Sequence, residues 1–208
     1  MADGHSDADL VRLVKRGERA ALGQLLERHQ DRLFNIALRM LGHREDAADA
    51  TQEALVKVIQ GIEGYKSGSA FSTWMIRIAM NTAISHLRKR RVRRAVSLDG
   101  DGGDESRPGP LRERMADDRE PSPDLSVERK EMLEHLKTAI AGLDEDFRSV
   151  LALRDIDQMD YQQIADVLQV PVGTVKSRLF RGRLSLRQKM LDLYGSEPVP
   201  QARREVAE

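Results

Sequence analysis

Cysteine is absent from the 208-residue chain, which excludes a disulfide framework, a thiolate metal site and a cysteine nucleophile. That absence fits a cytoplasmic protein. Aromatic residues are scarce, with one Trp, three Tyr and four Phe, whereas charged residues make up 33% of the chain. Small helical domains with thin cores suit this composition better than a β-sandwich does. No apolar run approaches the ~18 residues that a membrane span requires, so no membrane insertion is expected. The first residues, MADGHSDADL, are acidic and polar, unlike a signal peptide. His5, His29, His43, His86 and His135 are scattered without metal-ligand spacing. There is no phosphate-binding glycine loop and no glycine–serine elbow. No catalytic residue, metal or cofactor is therefore expected.

Net charge is also missing, since 34 basic residues balance 34 acidic ones. The balance conceals segregation along the chain. Residues 160–189, DYQQIADVLQVPVGTVKSRLFRGRLSLRQK, contain no acid between Asp166 and the end of the segment. Asp160 and Gln163 stand at the spacing of a capping box, and Ile164, Val167 and Leu168 give the helix they open one apolar face. Pro171 interrupts that helix. A second helix is expected from Gly173–Thr174, with Thr174 as N-cap. Val175, Leu179 and Leu186 can face inward, while Lys176, Arg178, Arg181, Arg183, Arg187 and Lys189 cannot all do so. A solvated helix mixes charge signs for i,i+4 support, and this one does not. The pattern is that of a helix-turn-helix whose second helix enters a DNA major groove.

The remainder of the chain is helical in pattern, with one exception. Residues 7–94 carry apolar residues at three- and four-residue spacing. Ser6 or Asp7 can cap the first helix, Gly17 breaks it, and Leu22, Leu25, Leu26, Leu33, Ile36, Ala37 and Met40 mark a second. A third, over residues 46–60, places Ala47, Thr51, Ala54, Leu55, Val58 and Ile59 on one face. A glycine-flanked loop follows around Tyr65, and then a long helix from Phe71 whose end is crowded with arginine. Phe71, Trp74, Ile78 and Thr82 form its expected stripe. Residues 96–124 change character, with clustered glycine, four prolines and an excess of acid. Such a segment cannot bury enough apolar surface to offset the entropy of ordering it, and a flexible acidic linker is expected there. From residue 125 a helix carries Met132, Leu133, Leu136, Ala139 and Ile140 inward, with Gly142 as C-cap, and a shorter helix starts near Asp144. Residues 195–208 are expected to be a disordered tail. The fold class is all-α, with two small helical domains (residues 7–95 and 125–194) on either side of a linker.

Three segments, DAADATQEALVKV at 46–58, GSAFSTWMIRIAMNTAISHLRKR at 68–90 and DYQQIADVLQVPVGTVKSRLFRGR at 160–183, resemble bacterial RNA polymerase sigma factors. They are most similar to the small two-domain extracytoplasmic-function group of the sigma-70 family, group 4. The first two segments look like region 2 and the third like region 4, in the family's order. The resemblance implies a protein that binds core RNA polymerase, through the β′ clamp and the β flap, together with promoter DNA and an anti-sigma factor.

Residue chemistry and resemblance together name three surfaces. Thr174, Lys176, Ser177, Arg178, Phe180 and Arg181 lie where a recognition helix meets base edges. An arginine bidentate to guanine contributes roughly 1–3 kcal/mol of discrimination, and the resemblance assigns this helix to the −35 element. Phe180 fits the reading surface or the core equally well. Melted DNA needs stacking faces and a basic track, at about 1–3 kcal/mol per stacked base. The resemblance assigns the −10 element to Tyr65, bounding a pocket for a flipped base, and to Asn81, whose amide can read a base edge. Phe71, Trp74, Arg77, Arg88, Lys89 and Arg91 complete that surface, although Phe71 and Trp74, three apart on a helix, also suit a core. Asp46, Asp49, Gln52, Glu53 and Val56 form an acidic face that composition alone would leave solvated; the resemblance makes it the polymerase dock. Two positions depart from the family's pattern: Asp144 stands where many relatives carry proline, and Gly182 where alanine is common. The glycine costs about 1 kcal/mol of helix stability, so early fraying of the helix is expected there. The competing reading is a conventional helix-turn-helix regulator with an N-terminal interaction domain; the second basic, aromatic-bearing segment argues against it.

Overall fold

The computed structural model describes residues 5–66, 68–99 and 127–194. All regular structure among them is helical. The first four helices are α1 (Asp7–Lys15), α2 (Arg19–Leu41), α3 (Arg44–Gly61) and α4 (Phe71–Asp99). Of the two candidate caps for α1, Ser6 is used: its hydroxyl accepts from the Asp9 N–H, and the Asp9 carboxylate accepts from the Ser6 N–H. Asp7 instead pairs with His29 at 2.8 Å and Arg28 at 2.7 Å, tying α1 to α2. At the end of α2, Gly42 adopts φ 72°, a left-handed turn that glycine enters without steric cost, and its N–H donates to Leu38. Leu25, Leu33, Ile36 and Met40 of α2 are fully buried. On α3 the buried residues are small, Ala47, Ala50, Ala54 and Val58, so α3 packs closely against both α2 and α4.

The second group is α5 (Val127–Ala141), α6 (Glu145–Leu151), α7 (Tyr161–Leu168) and α8 (Val172–Tyr194), with a π-helical turn at Ala152–Ile156 between α6 and α7. Asp160 and Gln163 make both bonds of the expected capping box. The helix they open ends at Gln169, in the left-handed conformation. The Gly142 N–H donates to Thr138 at the end of α5.

Five sequence expectations are corrected. Helix α8 begins at Val172, so Thr174 is not its cap; the Pro171 carbonyl accepts the N–H of both Thr174 and Val175. Ile59 is 43% exposed because the buried stripe of α3 turns away from it after Val58. Leu133 is 42% exposed, since α5 packs chiefly on α8 and Leu133 lies away from that contact. Met75, Ile76, Ala79, Met80 and Ala83 of α4 are more deeply buried than Trp74 and Ile78 of the expected stripe, because α4 is enclosed by α2, α3 and α7. Helix α4 also continues through residues 96–99, where the composition predicts the start of the linker. Residues 100–124 of that segment and the tail at 195–208 lie outside the described residues.

The two helical groups pack against each other. Buried apolar side chains from both join in one cluster, from Leu10 to Leu179, with α4 lying on α7 and α2 on α6 and the π-helical turn. Arg148 sits at the joint. Its guanidinium donates to Met40 O of α2 at 2.6 Å, and to Ile140, Ala141 and Leu143 carbonyls around the end of α5. A helix leaves its last carbonyls unpaired, and a cation near them is favoured by the helix dipole. Arg148 meets both conditions for two helices at once, one from each domain. Burial, and then the nearby charge of Arg90, push its pKa down, but a guanidinium remains charged throughout the working range.

Candidate nucleic-acid interface

Helix α8 presents two faces. Val175, Leu179, Gly182 and Met190 are buried. Gly182 is there because α6 comes close: a Cβ at this position would lie 3.2 Å from Phe147 Cβ and 3.4 Å from Leu151 Cδ1. The helix runs unbroken past it to Tyr194. On the opposite face Lys176, Ser177 and Arg181 are exposed, and Phe180 is 67% exposed. Phe180 is therefore not core. Thr174 and Arg178 are half-buried, with Arg178 Nη2 2.6 Å from Asp146 Oδ2. Arg181 lies over the Phe147 ring and Lys176 over the Tyr161 ring, both 5.8 Å from the centroid. Among the remaining basic residues of the helix, Arg183 is engaged by Asp155 at 2.5 Å, which pushes its pKa up. Lys189 is tucked beside Gly142, whereas Arg187 is exposed.

The aromatic residues of the other domain behave differently. Tyr65 and Phe71 are buried and Trp74 is half-buried. The Tyr65 and Phe71 rings meet edge-on at 5.3 Å, and Trp74 lies 5.2 Å from Tyr65 and 5.5 Å from Phe71. The Tyr65 hydroxyl donates to Ser69 O at 2.5 Å, and Lys15 Nζ donates to Tyr65 O. Burial, and secondarily the Asp7 charge, push its pKa up. The Tyr65 ring is buried beneath the loop, where the three aromatic rings pack against one another. Asn81, Arg88, Lys89 and Arg91 are exposed along α4 and near its end, and Arg77 is half-buried. Arg88 is held by Glu145 of α6, at 3.0 Å from Nε and 2.7 Å from Nη2.

The acidic face of α3 divides in two. Asp49, Gln52 and Val56 are exposed, with Val56 at 49%, and the exposed Ile59 extends them. Asp46 instead pairs with Arg90 at 2.9 Å. Glu53 is flanked by Lys57 at 2.7 Å and His86 at 2.8 Å, which together hold its carboxyl down at about 2, Lys57 making the larger contribution. Both acids are therefore cross-links from α3 to α4.

Sequence reasoning missed Arg148 and the acidic turn at residues 144–146 that faces Arg88 and Arg178. Three consecutive acids ahead of a basic helix were the available signal for the turn. Nothing local marks Arg148, whose partners come from two separate chain segments, Met40 and residues 140–143. Among the described residues no cluster of His, Asp or Glu could hold a metal, and no helix is long and apolar enough to cross a membrane.

Comparison with known proteins assigns both halves. Residues 25–93 match Sigma-70 region 2, and residues 133–186 match Sigma-70, region 4. The chain is 34% identical to the RNA polymerase sigma-H factor of Pseudomonas aeruginosa over 93% of its length and 98% of that protein's. It is 31% identical to the ECF RNA polymerase sigma factor SigW of Bacillus subtilis, over 88% and 96%, and 32% identical to the ECF RNA polymerase sigma-E factor of Escherichia coli K12, over 93% and 98%. In fold it is similar to the sigma factor RpoE of Bartonella quintana, solved with the anti-sigma factor NepR, at TM-score 0.61 and 23% identity over 81% of this chain and 95% of that one. CnrH, solved with the cytosolic domain of CnrY, is similar at the same TM-score and identity, over 91% and 99%.

Proposed function

The chain belongs to the sigma-70 family, as an extracytoplasmic-function sigma factor, and on that premise we propose how its surfaces share the work of promoter-specific initiation by RNA polymerase. The domain at 125–194 reads the −35 element, with Lys176, Ser177, Phe180 and Arg181 toward the groove. Thr174 and Arg178 join them once Arg178 leaves Asp146. Arg187 holds phosphate, which positions without specifying. The domain at 7–95 engages the −10 element through Asn81, Arg88, Lys89 and Arg91, over the aromatic support of Tyr65, Phe71 and Trp74. Arg77 adds charge beneath them. Binding energy to the displaced strand offsets unpairing, so melting requires no catalysis by this chain. The exposed strip Asp49, Gln52, Val56 docks on the β′ clamp, with Asp46 and Glu53 holding α3 on α4 behind it. The second domain meets the β flap. The protein works in the cytoplasm, and an anti-sigma factor is a further partner, as in the solved complexes of its structural relatives.

One observation carries this reading: an exposed basic helix follows a capped, sharply ended helix in a chain that also holds a second basic surface. A conventional regulator has no use for the second. Run-off transcription with core polymerase on a library of random promoters tests it. Transcripts enriched for two spaced elements are expected. Duplex binding without any transcript would leave only the regulator.

A further inference from the structure

The loop between α3 and α4 is pinned from α1, a helix that carries no residue of the DNA-facing surfaces. Lys15, the last residue of α1, donates from Nζ to the Tyr65 carbonyl at 2.6 Å. The same ammonium lies 5.9 Å from the centroid of the Tyr65 ring, within reach of a cation–π attraction. Tyr65 ends the 3-10 turn Ile62–Gly64 that follows α3, and a cation beside a carbonyl left over at a helical end is favoured. Tyr65 in turn closes the loop, because its hydroxyl donates to Ser69 O at 2.5 Å. One residue thus connects α1 to both ends of the loop, since Ser69 stands just before Phe71 starts α4. Between these fixed ends Lys66, Gly68 and Ala70 are exposed. The start of α1 is anchored separately. Asp7 bridges Arg28 and the buried His29 of α2, and the His29 ring meets Phe71 at 6.1 Å. Helix α1 is therefore a strut, fixed to α2 at its start and reaching the loop with its last side chain.

We propose that Lys15 is a positioning residue for −10 recognition: by holding the Tyr65 carbonyl it fixes the exposed residues of the loop in the conformation that takes an unpaired base, without touching DNA itself. This rests on the −10 assignment made above. A loop that is ordered only on binding gives up affinity to the entropy of ordering, whereas a preformed loop does not. Discrimination between bases also needs donors and acceptors held to within about 0.5 Å. The loop carries Gly64 at its start and Gly68 within it, and glycine leaves a backbone free to move unless something outside holds it. Lys15 supplies that hold from α1. A role through charge alone would act differently, since an ammonium attracts phosphate whatever the base.

The test uses core polymerase carrying the full chain, on fork-junction probes that end in a single strand. Each of the four bases is placed in turn at every unpaired position, and binding is measured for each probe. Lys15→Met keeps the length of the side chain and removes the donor. The preference for the best base over the worst at one unpaired position is expected to fall about fivefold. Because Lys15 is exposed, the thermal midpoint of the variant should stay within about 2 °C of the parent. Lys15→Arg, which keeps a donor and the charge, should restore the preference. Equal loss on all four bases would make Lys15 a phosphate contact and overturn the proposal. So would a preference left intact, or one that falls only together with the thermal midpoint. Asn81→Ala, measured alongside, keeps the two levels apart. If it flattens a base preference and Lys15→Met does not, the positioning role alone fails. If neither variant changes any preference, the −10 assignment beneath it fails too.

Discussion

The two domains use aromatic residues near basic ones in opposite ways. In the first, Tyr65, Phe71 and Trp74 close on each other beneath the surface, and the charges of α4 gather toward its end. In the second, Phe180 stands 67% exposed in the middle of a basic face. Sequence chemistry is similar in both places, so position on the helix decides. Phe71 lies next to Met75 on an arc that α2 and α3 cover. Phe180 falls between the inward stripe residues Leu179 and Gly182, and its own i−4, i+3 and i+4 neighbours are Lys176, Arg183 and the exposed Leu184. A buried ring organises a surface, whereas an exposed one can belong to the contact itself.

Truncating each ring tests that contrast most strongly. Phe71→Ala removes a side chain only 4% exposed and should destabilise the protein by about 3–4 kcal/mol, read from the urea midpoint. A loss under about 1 kcal/mol would mean that the aromatic cluster is not a structural support. Next in size is a pair of glycine substitutions. Gly182→Ala must push Phe147 or Leu151 aside and should cost about 1–2 kcal/mol. Gly23→Ala, in α2 with open space at the Cβ position, should stabilise by about 0.5–1 kcal/mol. Equal signs would remove the close-packing account of Gly182.

Smaller effects concern charge and exposure. The Glu53 carboxyl is lowered from 4.5 to about 2 by Lys57 and His86. A depressed carboxylate contributes stability that is present above its unfolded pKa and is lost as pH falls through the folded value. Wild type should therefore lose an advantage over Glu53→Gln between pH 4.5 and 2. Glu53 is 39% exposed, so solvent screening holds that advantage to within about 1 kcal/mol. Parallel acid-stability curves for the two proteins would show that the α3–α4 cross-link contributes nothing. Smallest in stability is Phe180→Ala, expected within about 0.5 kcal/mol of the parent. Its transcription from a matched promoter should nonetheless fall several-fold. Unchanged transcription would leave Phe180 a bystander on the reading face.

Much of this was legible along the chain. The capping box at Asp160 and Gln163 and the inward stripe of α8 depend on neighbours within a few residues, and local rules found them. The exposed placements of Lys176, Ser177, Arg181, Asn81, Lys89 and Arg91 agree with a charge pattern that no core could absorb. Errors arose where a partner came from elsewhere. Ile59 and Leu133 matched apolar spacing, yet no element covers them. The reason for glycine at position 182, the close approach of α6, likewise comes from a distant segment.

The sequence by itself determined the helices, their caps and the basic character of two surfaces, because hydrogen bonding within a turn and the period of apolar residues are local quantities. Tertiary structure decided which of those charges are available. Arg148 spends its guanidinium on carbonyls of two domains, and Arg88 and Arg178 meet adjacent carboxylates of one turn. These pairings form only when α2, α4, α6 and α8 pack together, since Coulomb attraction and hydrogen bonds at under 3 Å depend on distance in space. Separation along the chain, 57 residues for Arg88 and Glu145, carries no trace of them.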